Sequence, residues 1–191
     1  SGPGERRRFM DLELCQLSKV YLFQLSNYNK ILNQRNKLLK EITFRPEYLD
    51  TLDVWDRQLV QYGERVIRER EKFVGRLNEI IGGIHQRLSG GRETLVIHYE
   101  KMWSWKSLKQ GLRPTGTGSE APYDPGGTPQ DDLCFDIGGM DIRKFGSQGQ
   151  QRTAALSLKL SEIELVKQEI KDTPVLLLDD VLSELDSSRQ K

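Results

Sequence analysis

Residues 145–186 constrain the fold more than any other stretch. They read Phe145-Gly146-Ser147-Gln148-Gly149-Gln150-Gln151-Arg152, then a helical run to about residue 170. Pro174-Val175-Leu176-Leu177-Leu178-Asp179-Asp180 and Ser183-Glu184-Leu185-Asp186 follow. A continuous apolar run after a proline suits a strand buried on both faces of a parallel sheet. Two carboxylates at its C-terminal end stand where ligands bind in open α/β sheets. Asp179 would there hold Mg²⁺, directly or through water, with Asp180 beside it to orient an attacking water. Upstream, Ser147 brings a hydroxyl to a helix start and Gly149 lets backbone approach closely. With the free N–H groups of the first turn they make an anion site suited to a phosphate. Singly these pieces are ordinary, since apolar strands often end in Asp-Asp and Ser-Glu-Leu-Asp is a capping pattern. Their order makes them specific.

With 191 residues, 36% hydrophobic and 30% charged, the chain can bury a core and form one or two domains. The net charge is +1, so any nucleic-acid site must be a local patch rather than a global field. Cys15 and Cys134 lack metal-ligand spacing and read as reduced thiols of a cytoplasmic protein. His85 and His98 are isolated, and each reads as structural. No signal peptide and no apolar run approaching 18 residues occurs in this sequence, so the expectation is a soluble protein that is not secreted.

The chain begins with a proline and the basic run Arg6-Arg7-Arg8. From residue 9 to 41 apolar residues recur at helical spacing. Tyr21, Leu25, Tyr28, Leu32 and Leu39 alternate in steps of four and three, with Arg35 filling the one gap. Pro46 breaks the pattern. A second helix is expected over residues 47–88, striped by Trp55, Leu59, Tyr62, Val66, Phe73, Leu77, Ile80 and Ile84. Two long amphipathic helices joined by a tight break predict an antiparallel hairpin. The outer face of the second is expected to carry Arg65, Arg68, Arg70, Lys72 and Arg76 among glutamates. Such a face reads as solvated and paired at i to i+4. Arg6, Arg7, Arg8, Arg65, Arg68 and Arg76 are the candidates for contacts to the phosphates of any nucleic acid, which carry no sequence information.

Ser89-Gly90-Gly91 ends the helix, and residues 94–99 read as a strand. Residues 111–128 are too rich in glycine and proline for a packed element and read as a linker. Residues 132–143 predict a hairpin, Leu133-Cys134-Phe135-Asp136 against residues 140–143 across Gly138-Gly139.

Taken together, the motifs resemble the ABC-type ATPases that act on DNA, with a signature motif at 147–151, a Walker B at 175–180 and a D-loop at 183–186. Within that group the sequences 144–154 and 177–186 look like the RecF family of DNA replication and repair proteins. The Asp179-Asp180 pair adds to the likeness, since structural-maintenance-of-chromosomes relatives usually carry Asp-Glu. Residues 4–11 and 28–40 look like the start of that family's helical lobe. The likeness covers most of the chain.

Two departures stand out. Where the family reads Gly-Pro-His-Arg-Asp-Asp-Leu, this chain has Gly127-Thr128-Pro129-Gln130-Asp131-Asp132-Leu133, without the His and Arg. A divergent member and a shortened or altered segment are both open readings. Gly-x-x-x-x-Gly-Lys-Ser/Thr, the loop that grips β- and γ-phosphates, does not occur in these residues. In the family it lies earlier, so the chain is expected to be an internal piece and inactive on its own.

The fold class expected is α+β or α/β. A long-helix hairpin lobe over residues 1–92 is packed beside part of an ATPase head over residues 93–191. The resemblance implies a weak ATP hydrolase that dimerises around ATP and Mg²⁺ and binds DNA in gap repair and the SOS response. RecR-like and RecA-like proteins are its partners, with no membrane. It assigns Ser147, Gly149 and Gln150 to a γ-phosphate held by the opposite subunit, Asp179 to Mg²⁺ and Asp180 to the attacking water. Ser183 and Asp186 are D-loop residues, and Asp186 acts across the dimer seam. The rival expectations are another ABC-type ATPase subunit, such as a transporter's, and a helical interaction module without ATPase activity.

Overall fold

The structure, a computed structural model, describes residues 2–42, 44–101 and 131–170. In chain order they form α1 (Pro3–Leu17), α2 (Lys19–Ile42), a 3-10 turn (Pro46–Tyr48), α3 (Leu49–Leu88) and β1 (Leu95–Glu100). There follow β2 (Asp132–Ile137), β3 (Met140–Asp141), α4 (Ile142–Phe145) and α5 (Gln148–Ile170). The described part is mostly helical with one small sheet. It divides into two compact units. The first holds α1, α2, α3 as far as Glu71, and Glu100, Lys101, Asp131 and Asp132; the second holds α3 from Lys72 onward, β1 as far as Tyr99, β2 from Leu133, β3, α4 and α5. The expected linker at 111–128, the apolar run at 175–178, Asp179, Asp180, Ser183 and Asp186 lie outside the described residues.

In the first unit the expected single helix over 9–41 is two helices. Ser18 sits between them in extended backbone, φ −139° and ψ 108°. Its N–H closes α1 on Leu14 O, and its hydroxyl accepts the Tyr21 N–H at 3.1 Å to cap α2. A serine satisfies orphan backbone groups better at a helix end than inside one, so the apolar period alone could not place the break.

The hairpin of α2 and α3 follows the predicted stripes. Gln24 meets Arg65, Tyr28 lies against Gly63, and Arg35 bonds Asp56 at 2.5 Å. Partner numbers fall on one helix as they rise on the other, so the helices run antiparallel. A Cβ on Gly63 would stand 3.1 Å from the Tyr28 ring, which explains why this position is glycine. Tyr21, Tyr28 and Leu32 are buried with Leu52, Leu59, Val60 and Val66, whereas Trp55 and Tyr62 are half-buried. Burial pushes the Asp56 carboxyl above its ordinary value, while Arg35 works against that rise.

Arg70 corrects the sequence reading. It was expected on the solvated face, yet it is fully buried. Its position, four after Val66 and three before Phe73, continues the buried stripe. The guanidinium holds Asp11 through contacts of 2.7 and 3.0 Å, Asp131 at 3.1 Å and Tyr21 Oη at 3.1 Å. Tyr21 in turn donates to Asp11 at 2.5 Å, and burial pushes its phenol pKa up. A buried charge is tolerated only when paired this fully.

In the second unit β1 alternates, with Leu95 and Ile97 buried and Val96 and His98 exposed. Asn78 of α3 takes both backbone groups of Ile97, donating to its carbonyl at 2.7 Å and accepting its N–H at 2.8 Å. The sheet order is β1-β2-β3, with β2 and β3 antiparallel and Ile137 opposite Met140. Gly138 and Gly139 turn the hairpin at φ 62° and 86°, the left-handed pair that a two-residue turn requires. The second strand is shorter than expected. Asp141 ends it by accepting the Arg143 N–H at 3.0 Å, and Arg143 belongs to α4. Arg143 also donates to Leu133 O, fastening the turn to β2.

Candidate functional site

The site is built on the passage from α4 into α5. Gly146 closes α4 by donating to Ile142 O at 3.1 Å, and a Cβ there would fall 2.7 Å from both Ile142 Cβ and Ile142 O. Any larger residue would force this turn against Ile142 to shift. From the other side Gln151 Nε2 bonds Ile142 O at 2.9 Å, so the turn is stapled by side chain as well as backbone.

Ser147 then caps α5. Its hydroxyl accepts the Gln150 N–H at 3.2 Å, and its own N–H donates to Gln150 Oε1 at 2.9 Å. This reciprocal pair is a capping box with glutamine in the third helical position. The first N–H groups of a helix have no partner within it, and those of Gln148 and Gly149 belong to this exposed end. Ser147, Gly149 and Gln150, predicted as one site, are thus brought together. A hydroxyl, early-turn amides and the positive end of a long helix suit an anion such as a phosphate. Phe145, 72% exposed, stands just before them.

Behind this end α5 carries Thr153, Ser157 and Ser161, each donating to the carbonyl four residues earlier, at 2.8, 2.8 and 2.7 Å. All three are buried, so the hydroxyls satisfy themselves within the helix. Sequence reasoning missed Glu93, whose Oε1 accepts the Gln150 amide at 2.9 Å across 57 positions of chain. No local signal marks such a pair. His85, read as structural, is fully buried, with Nδ1 2.9 Å from Ser157 Oγ.

The basic candidates fall into two groups. Arg6 makes a bidentate pair with Asp132 at 2.6 and 2.7 Å, and the buried Arg7 donates to Asp131 O at 3.2 Å. Both fasten α1 to the chain at 131–132, and Arg8 is the exposed member of the run. Arg65 is exposed and stacks over Tyr62 at 5.9 Å. Arg68 pairs with Glu64 at 2.7 Å, and Arg76 pairs with Glu169. Asp179, Asp180, Ser183 and Asp186 lie outside the described residues. Among the described residues no cluster of His, Cys, Asp and Glu could hold a metal ion, and no helix is long and apolar enough to cross a membrane.

No family model matches the sequence. Curated relatives do. The chain is 57% identical over 191 residues to the DNA replication and repair protein RecF of Agathobacter rectalis, covering all of this chain and 53% of that protein. It is 57% identical over 193 residues to RecF of Lachnospira eligens and 42% identical over 201 residues to that of Acetivibrio thermocellus, again covering the whole chain and 53–54% of each relative. Among solved structures, the recombination mediator protein RecF with ATP, of the RecFOR pathway, matches the whole chain and 53% of its own. The TM-score is 0.84 and the identity 35%. A second RecF structure of that pathway matches with a TM-score of 0.80 and 34% identity. The chain therefore spans about half the length of the curated relatives it matches. Over its whole length this chain is similar, in sequence and in fold, to about half the length of the RecF DNA replication and repair proteins.

Proposed function

We propose that this chain is the part of a RecF-type protein that closes an ATP-dependent dimer on DNA. Its exposed α5 start, at Ser147, Gly149 and Gln150, takes the γ-phosphate of a nucleotide held by the opposite subunit. The observation that carries the reading is the outward-facing capping turn, with Ser147 exposed and the first-turn amides at the same end. The likeness to a RecF structure with ATP supports it. Bound ATP and Mg²⁺ would supply the scissile phosphate and the charge that neutralises it. Asp179 is the residue to hold the cation, Asp180 the one to orient water, and Ser183 and Asp186 belong to the seam. A ligand shared between subunits favours the dimer by its differential affinity for that state, so nucleotide controls assembly.

Arg8, Arg65, Arg68 and Arg76 are the cations we assign to DNA phosphates, with Arg6 and Arg7 holding the base from which Arg8 projects. RecR-like and RecA-like proteins are the partners this reading calls for, in gap repair and the SOS response. The test is Ser147→Arg in the full-length protein. Nucleotide binding should stay within about threefold of the parent, because the variant site touches only the partner's ATP, and light scattering should show a monomer at ATP concentrations that dimerise the parent. A variant that dimerises like the parent removes the reading.

A further inference from the structure

The Gln150 side chain is held at both ends. Its Oε1 accepts the Ser147 N–H and its Nε2 donates to Glu93 Oε1, each at 2.9 Å. Glu93 is itself firmly placed. Its N–H donates to Ser89 Oγ at 3.2 Å, and its carbonyl accepts from the same buried hydroxyl at 3.2 Å. The other carboxylate oxygen lies 3.5 Å from Nε2 of the buried His85, near the end of α3. On the far side of that ring, Nδ1 meets Ser157 Oγ at 2.9 Å. Ser157 gives its one proton to Thr153 O, so its oxygen is an acceptor and Nδ1 is the ring's donor. Glu93 therefore holds the exposed start of α5 through Gln150, and its other oxygen faces the His85 ring that Ser157 fixes, a contact that is an ion pair only when that ring carries both protons.

We propose that Glu93, backed by His85, is the positioning residue of the Ser147–Gln150 turn. Resting on the reading that this turn meets the partner's γ-phosphate, the assignment explains how it keeps one arrangement. A glutamine at an exposed helix start has many rotamers. The carboxylate selects the one in which Oε1 closes the cap, so the Ser147 hydroxyl and the early amides stand together. Glu93 touches no substrate; it acts through Gln150.

The test compares Glu93→Ala with Glu93→Gln in the full-length protein, with Ser147→Arg alongside. Glu93→Gln keeps an oxygen to accept the Gln150 amide N–H, so it should rescue. In Glu93→Ala the ATP concentration for half-dimerisation should rise about tenfold, the worth of one charge-assisted hydrogen bond, with monomer nucleotide affinity unchanged. Without nucleotide, amide hydrogen exchange across residues 145–152 should quicken in Glu93→Ala and stay parental in Glu93→Gln. If Glu93→Ala folds poorly, Gln150→Glu sets two carboxylates together and should quicken the same exchange. Parental dimerisation and parental exchange in Glu93→Ala overturn the proposal. If Ser147→Arg itself dimerises like the parent, the phosphate reading falls, and the exchange measurement alone decides whether Glu93 holds Gln150.

Discussion

Replacing Arg70 by methionine would leave the fully buried Asp131 carboxylate facing an apolar stem. Losing one partner of a buried ion pair costs about 3–5 kcal/mol, because the other charge stays behind. Urea unfolding of Arg70→Met should show a loss of that size, and a loss below about 1 kcal/mol would mean the network is not holding the fold. Asp141 makes a prediction about pH. Hydrogen bonds from Arg143 hold its carboxyl at about 2, below the ordinary 3.8. A depressed folded value means that its stabilising contribution is complete above about pH 4 and is lost as the pH falls towards 2. Acid unfolding of Asp141→Asn should therefore be flatter than the parent's over that window. Equal slopes would show that Arg143 does not hold this carboxylate.

At the scale of elements, the two long helices were legible because burial repeats at helical spacing within each segment. Leu59, Val66, Phe73 and Leu77 keep that period without help from distant chain. Arg70 sits on the same period and was still misjudged, since charge outweighed position in the reading. Its partners Asp11 and Asp131 are 59 and 61 residues away, beyond any local pattern. Ser18 was missed for another reason. Its cap replaces one helical hydrogen bond with another, which leaves the apolar rhythm intact across the break. Ser18→Ala should cost about 0.5–2 kcal/mol, the usual loss for an N-cap, measured by thermal unfolding. No change would mean that Tyr21 N–H is satisfied elsewhere. The candidate site divides the same way. Ser147, Gly149 and Gln150 are neighbours in sequence and could be read together, whereas Glu93 reaches Gln150 only once the chain has folded.

For the chain as a whole, a net charge of +1 means that the DNA contact proposed above rests on a few exposed cations rather than a general field. Arg8→Gln or Arg65→Gln should reduce the salt slope of DNA binding by about one per lost phosphate contact. Arg6→Gln should instead lower stability, since Arg6 is committed to Asp132. Unchanged slopes in both Arg8→Gln and Arg65→Gln would remove these residues from the DNA surface.

The central claim is that the Ser147 turn acts on the nucleotide of the other subunit. Mixing two full-length variants tests it most directly. Ser147→Arg alone should remain monomeric with ATP, and Asp180→Asn alone should form a dimer that persists because hydrolysis has stopped. In a heterodimer of the two, one composite site joins the intact Ser147 turn of the Asp180→Asn subunit to the intact Asp180 of its partner. Light scattering with ATP should then show Ser147→Arg drawn into dimers only when Asp180→Asn is present. If Ser147→Arg dimerises by itself at the parent's ATP concentration, the turn does not act across the seam and the account is wrong.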